Sequence, residues 1–388
     1  MFTFDVRNVS EALHLVNQSL KVHGVQRETR NGPALEFPAP VAITYRKPLE
    51  RVLFYPERDA NPFFHFMESL WMLDGNRDVE WVQHYNNRMS VYSDNGINFH
   101  GAYGFRWRRW FGEDQLGVLI HRLKTYPNDR RCGLGMWDPN ADLVEGNENV
   151  DLPCNTHIYF RLEDNKLHMT VCNRSNDMIW GALGANAVHM SYLQEYMASM
   201  IDAEVGTYVQ FSNNFHAYLE TLSKLDGLQP DYHPYLEFPV GPPINGDQGA
   251  LFTDQEEPPR PFIAKLVDDT YEFEEELHYF VRGLDPLKQR GYSWNNSFFP
   301  GVAMPMRTAW REWKKYSATK DGAHLMEAID HARTIQAEDW RKACYEWLDR
   351  RRQKAGFKTL APEEEWGCAS ATPEDLKTVQ VLFPKGHK

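Results

Sequence analysis

The spacing of apolar positions changes along this chain, and each change of period predicts a different element. Leu13, Val16 and Leu20 recur at three- and four-residue steps, which predicts a first helix over 10–23. NPFFHFMESLWMLDGN (61–76) keeps that period and predicts a helix that stops at Gly75. Residues 115–126 and 187–202 predict two more helices, the second one buried. From 154 the period falls to two. Ile158, Phe160 and Leu162 share one face of THIYFRL, with His157, Tyr159 and Arg161 on the other. EDNK (163–166) reads as a turn, and Leu167, Met169 and Val171 carry the apolar face back, so 154–174 is a β-hairpin. ETRNGPALEFP (28–38) reads as a mobile loop entering a strand. HGAYGFRWRRW (100–110) begins as a turn and becomes aromatic and basic. NDRRCGLGMWDP (128–139) reads as a polar turn into a short strand. Residues 228–262, rich in Pro, Gly and Asp, predict a linker. Helical patterns resume at 262–282 and 322–354, the latter amphipathic through Leu325, Ile329, Ile335, Trp340 and Trp347.

Composition narrows the class. The 388 residues are 42% hydrophobic and 13% aromatic, enough for a sizeable core. No apolar run approaches the ~20 residues needed to span a bilayer, and the first residues carry no signal-peptide pattern. The five cysteines are scattered without a CxxC pair, which argues against zinc and for a reduced, cytoplasmic protein. A net charge of −12 argues against a general duplex nucleic-acid binder. An anionic small molecule is compatible with it if arginines gather at one place.

Four segments hold polar residues that a core does not need: Arg130-Arg131, NRSND (173–177), NNFHAY (213–218), and Cys154 within LPCNTHIYF. In a hairpin of this register Arg174 returns to the level of Cys154. A guanidinium beside a thiol favours the nucleophilic thiolate. Several arginines with a serine suit a phosphate monoester, which guanidinium binds bidentately. His216 and Tyr218, two apart on a strand, point the same way and can share one sugar hydroxyl. Taken singly, each has an ordinary reading: a buried cysteine, a solvated turn, a satisfied polar pair.

Their order along the chain resembles the thymidylate synthase and pyrimidine deoxynucleotide hydroxymethylase superfamily, over about residues 20–225. The resemblance implies a catalytic thiol at Cys154 of LPCN and a proton-moving carboxylate at Glu68 of ESLWMLDG. It implies a YG-xx-W motif at Tyr103, Gly104 and Trp107. Phosphate contacts fall to Arg174 and Ser175, to Arg30 of an N-terminal loop, and to Arg130 and Arg131 donated across a homodimer. Asp177 would hold the folate, and His216 with Tyr218 the deoxyribose 3′-hydroxyl. The co-substrate implied is 5,10-methylenetetrahydrofolate, with no metal. The fold implied is α/β (α+β), a three-layer thymidylate synthase-like domain over 1–240 whose twisted mixed sheet lies at a homodimer interface. A mostly helical extension, 262–388, would follow it.

Departures from the synthase pattern favour 5-hydroxymethylation of dUMP over reductive methylation, with dCMP hydroxymethylation as the remaining alternative. Asn155 stands where synthases have His after the cysteine, and Asn173 where they have Gln. Val91–Tyr92 falls where they have a tryptophan that covers the exocyclic methylene, and the chain ends in FPKGHK rather than a short apolar tail. A site without that lid admits water. The base-reading position counts to Ala185, so Asn186 reads uracil only if GALGAN holds a one-residue bulge. Among other classes, a silent nucleotide-binding regulator has no need of Cys154 and Glu68. The extension reads either as a partner-binding module or as a segment docked on its own core.

Overall fold

The computed structural model describes residues 1–144, 150–228, 235, 264–283 and 293–357. Its strands are β1 (Phe2–Val6), β2 (Val25–Thr29), β3 (Gly32–Glu36), β4 (Val41–Tyr45), β5 (Gly133–Gly135), β6 (Asn155–Glu163), β7 (Lys166–Asp177) and β8 (Glu204–Tyr218). They form one mixed sheet in the order β1-β4-β8-β7-β6-β5, with the β2–β3 hairpin joining at β8. β1–β4 and β7–β8 are parallel and the other pairs antiparallel.

The helices are α1 (Val9–His23), α2 (Pro62–Leu73), α3 (Val79–Tyr85), α4 (Tyr103–Arg108), α5 (Gln115–Thr125), α6 (Pro139–Asp142), α7 (Asn186–Met200), α8 (Leu219–Leu222), α9 (Phe273–Val281), α10 (Met304–Thr319), α11 (Gly322–Arg333) and α12 (Glu338–Lys354). Asn61 caps α2 by accepting from the Phe64 N–H at 3.2 Å, Pro62 opens its first turn, and Gly75 follows its end at φ +72°. Every residue of α2 is buried, polar His65, Glu68 and Ser69 included. It lies between α7, which packs on β7 and β8, and the helices α9, α10 and α12. Phe63 meets Trp310 and Trp347 at ring separations of 5.5 and 5.7 Å, and Phe66 meets Trp340 at 5.3 Å. The apolar stripe of the extension therefore docks on the chain's own core: Leu325, Ile329, Ile335, Trp340 and Trp347 are all buried.

Four segments differ from the sequence reading. Within 28–38 the expected strand is present as β3, but what precedes it is the end of β2 and the hairpin turn at Gly32 (φ +107°) rather than a loop. VQRET is almost wholly exposed, so no alternating apolar face marks it as a strand. Helix appears only from Phe273 in the 262–282 pattern, and 322–354 splits into α11 and α12 around Thr334. α10 has no counterpart in the sequence reading. The linker, apart from Leu228 and Tyr235, and the FPKGHK terminus lie outside the described residues.

Candidate active site

Three strands bring the chemical groups to one end of the sheet. β7 and β8 run in parallel with Ser175 opposite Asn214 and Asp177 opposite His216, while β6 starts with Asn155 opposite Asn173. Cys154 immediately precedes β6. The Arg174 backbone N–H donates to the Cys154 carbonyl at 2.9 Å, which confirms the predicted return of the hairpin. The Arg174 guanidinium donates to the carbonyls of Pro153 (3.0 Å) and Leu152 (3.1 Å), and its Nη2 lies 4.0 Å from the Cys154 sulfur. One side chain thus shapes the cysteine loop and sets a positive charge beside the thiol.

Burial nevertheless raises the thiol pKa above its ordinary value. Arg174 and Arg30 pull it down, while Asp151 and Asp177 push it further up. Arg174 therefore pulls the thiol pKa in the direction its charge predicts, but the cost of burying a thiolate exceeds that stabilisation.

Tyr103 opens α4 with its hydroxyl bonded to the Asn155 backbone, and burial holds it protonated well above the usual phenol range. Gly104 has no room for a side chain, since a Cβ there would lie 1.9 Å from the Met72 carbonyl oxygen. Buried Asn155 donates Nδ2 to Asn173 Oδ1 at 3.3 Å, and Asn173 donates to the Phe211 carbonyl at 3.1 Å. The Asn155 Oδ1 has no hydrogen-bond partner among the described residues. On α2, Glu68 is buried with Oε2 3.1 Å from Nε2 of His189 on α7.

His216 and Tyr218 project from the same face of β8, rings 5.2 Å apart. His216 Nδ1 lies 2.8 Å from Asn214 Oδ1, and the Tyr218 hydroxyl accepts from Asn31 Nδ2 at 3.2 Å. Burial lowers the His216 pKa, and Asp177 and Glu36 oppose it. Asn31 carries the β2–β3 turn to this end of the sheet, and with it exposed Arg30. Asp177 Oδ1 accepts from the backbone N–H groups of Ile179 (2.9 Å) and Trp180 (2.5 Å). Its Oδ2 is buried without a hydrogen-bond partner among the described residues, and burial raises its pKa against the pull of those N–H groups, His216 and Arg58. The helical run Met178–Ala185 is kinked at Leu183 and Gly184, which leave helical geometry (Gly184 φ −135°, ψ −116°). Asn186 begins α7 directly after this break.

Arg130 and Arg131 are not brought in by this chain. Both are exposed on the turn before β5, and Arg131 is held by Asp129 at 3.0 and 3.1 Å. Among the described residues neither bonds to the Cys154 cluster. The sequence reading missed three participants. Arg58 donates to the Ile179 carbonyl at 2.7 and 3.2 Å and lies over the Trp180 ring, which ties down the segment after Asp177. His189 faces Glu68 from a helix that reads as plain core. Asn176 alternates inward between Ser175 and Asp177, so the period of β7 could have singled it out.

A family model described as thymidylate synthase matches residues 23–239. A deoxyuridylate hydroxymethyltransferase of Pseudomonas phage M6 is 44% identical over 353 residues, covering 91% of this chain and 95% of that protein. A protein of the same name from Bacillus phage SP01 is 36% identical over 218 residues, 51% of this chain and 57% of its own length. A thymidylate synthase of Francisella philomiragia is 29% identical over 165 residues, 39% of this chain and 59% of its own length. The similarity to the M6 protein is too long to end with the matched family region and so includes the helical extension.

Proposed function

The chain belongs to the thymidylate synthase family, and from that premise we propose that it adds a one-carbon unit to C5 of dUMP as a hydroxymethyl group. The observation that carries this reading is a Pro-Cys-Asn thiol held beside Arg174, in a chain that matches a deoxyuridylate hydroxymethyltransferase over 91% of its length.

Arg174 and Ser175 hold the nucleotide phosphate, with Arg30 closing from the β2–β3 turn. Arg130 and Arg131 reach it from a second subunit, and His216 and Tyr218 hold the 3′-hydroxyl. Binding of a pyrimidine over Cys154 brings the thiolate to C6. A sulfur–carbon bond forms there, the C5=C6 double bond opens, and C5 becomes a carbon nucleophile. Methylenetetrahydrofolate supplies the one-carbon unit when bound and leaves as tetrahydrofolate. The buried Asp177 Oδ2, without a hydrogen-bond partner among the described residues, is an acceptor that suits a ring N–H of that group. Glu68, with His189 at its oxygen, moves the C5 proton through water. Water then adds its oxygen to the new carbon, the sulfur leaves C6, and the double bond re-forms. Exposed Val91 and Tyr92, in place of a covering tryptophan, support access for that water.

Mass spectrometry of dUMP and dCMP incubated with the enzyme and methylenetetrahydrofolate in ¹⁸O-water tests the reading. The expected product is 5-hydroxymethyl-dUMP labelled with ¹⁸O, with tetrahydrofolate released. A methyl product with dihydrofolate would replace this reading by thymidylate synthesis. Mixing inactive Cys154→Ala and Arg130→Ala subunits tests the shared site: hybrid dimers should recover part of the activity, and none is recovered if each subunit is self-sufficient.

A further inference from the structure

An asparagine amide reads uracil or cytosine according to which way it is turned. We propose that a buried relay of three amides, Gln210–Asn176–Asn186, locks Asn186 in the sense that reads uracil, making Gln210 and Asn176 positioning residues for base choice. This inference rests on the nucleotide-site reading above and goes beyond it.

The sense is set at one end by a group that cannot turn over. Gln210 Nε2 donates to the backbone carbonyl of Ala182 at 3.2 Å and to the Tyr208 hydroxyl at 2.8 Å. A carbonyl has no hydrogen to give, so the amino end of Gln210 must face it. The oxygen end of Gln210 then faces Asn176, whose Nδ2 donates to it at 2.9 Å and to Ser212 Oγ at 3.2 Å. Asn176 therefore shows its oxygen to Asn186, whose Nδ2 donates to it at 3.2 Å. Gln210, Asn176 and Ser212 are buried, so water cannot substitute for a misdirected partner. Gly181 leaves room for the last link: a Cβ there would lie 2.7 Å from Asn176 Oδ1 and 3.2 Å from Asn186 Nδ2.

Among the described residues Asn186 has no other side-chain hydrogen bond, which leaves one Nδ2 hydrogen and its Oδ1 for a base. That pair matches uracil, which offers the O4 acceptor and the N3–H donor. Cytosine offers the reverse, an amino donor and the N3 acceptor. Turning Asn186 over to suit cytosine sets two amide oxygens against each other. Turning the whole relay over sets the Gln210 oxygen against the Ala182 carbonyl.

The test compares dissociation constants for dUMP and dCMP by calorimetry, in the full chain and in the variants Gln210→Met and Gly181→Ala. The wild type should prefer dUMP. The preference should fall on the order of tenfold in Gln210→Met, the size expected for a lost buried hydrogen bond, while deoxyribose 5-phosphate binds unchanged. General damage to the fold would weaken both nucleotides alike and leave their ratio in place. A wild type that binds dUMP and dCMP equally overturns the relay and leaves the Cys154 chemistry standing. A folded Gln210→Met protein with full preference also overturns it, and if that variant does not fold, Gly181→Ala is judged by the same criterion. A wild type that prefers dUMP yet yields no product refutes the function while the relay stands. Binding of neither nucleotide refutes both.

Discussion

Replacing Arg174 separates its two tasks. In Arg174→Met the charge 4.0 Å from the Cys154 sulfur is gone, along with the donors to the Pro153 and Leu152 carbonyls. In Arg174→Lys the charge stays, but the planar fork whose Nε and Nη2 reach two carbonyls at once is lost. At 4 Å a unit charge stabilises a thiolate by about 1 kcal/mol in water and about 4 kcal/mol at the effective dielectric of a protein site. Removing the charge should therefore cut the thiolate population at neutral pH by a factor between about five and several hundred. The assay is the rate of Cys154 alkylation by iodoacetamide against pH, read by peptide mass spectrometry so that the other cysteines do not interfere. Wild type should show the lowest midpoint, Arg174→Lys an intermediate one, and Arg174→Met the highest. The sign follows from the structure: burial already raises this thiol, and Arg174 is the largest opposing influence. A folded Arg174→Met protein that alkylates at the wild-type rate across the pH range would refute the reasoning. Arg174 would then be a loop brace and no more.

Three further outcomes are expected. Burial pushes buried Asp339 up to about 7. The folded state therefore keeps a proton that the unfolded chain releases near pH 4, and stability should fall as pH rises from about 4 to about 7 and then level off, by at most roughly 4 kcal/mol. Asp339→Asn should flatten that slope in denaturant titrations and raise stability above pH 7, and an unchanged slope would count against it. Gly104→Ala forces a methyl into the Met72 carbonyl and should cost about 3 kcal/mol or more in chemical unfolding; a wild-type midpoint would show that the two helices can separate. Phe66→Ala removes a ring packed on both Phe298 and Trp340 and should cost roughly 3–5 kcal/mol. Limited proteolysis should then cut the extension first, and uniform cutting would mean that Phe66 does not tie it down.

Patterns that repeat over a few residues were legible without a structure. The hairpin over 154–174, the first helix and the helix at 61–76 follow from spacing, because burial on one face imposes a period on the sequence. Cys154 and Arg174 could be paired in advance for the same reason, since antiparallel register is local arithmetic. β2 was not legible, because a strand held by edge pairing and exposed on its surface carries no period. The pull of Arg174 on the thiol was legible but the larger opposing effect of burial was not, since burial is a property of the whole neighbourhood and no short stretch records it. His189 beside Glu68, Arg58 on the Ile179 carbonyl, and the amide links Gln210–Asn176 and Asn176–Asn186 join residues from ten to more than a hundred positions apart. Sequence determined which chemical groups this protein carries and which of them lie close along one hairpin. Tertiary structure decided what each buried group faces, and so which way an amide points and how readily a thiol ionises, because hydrogen-bond direction and desolvation depend on atoms that only packing brings within reach.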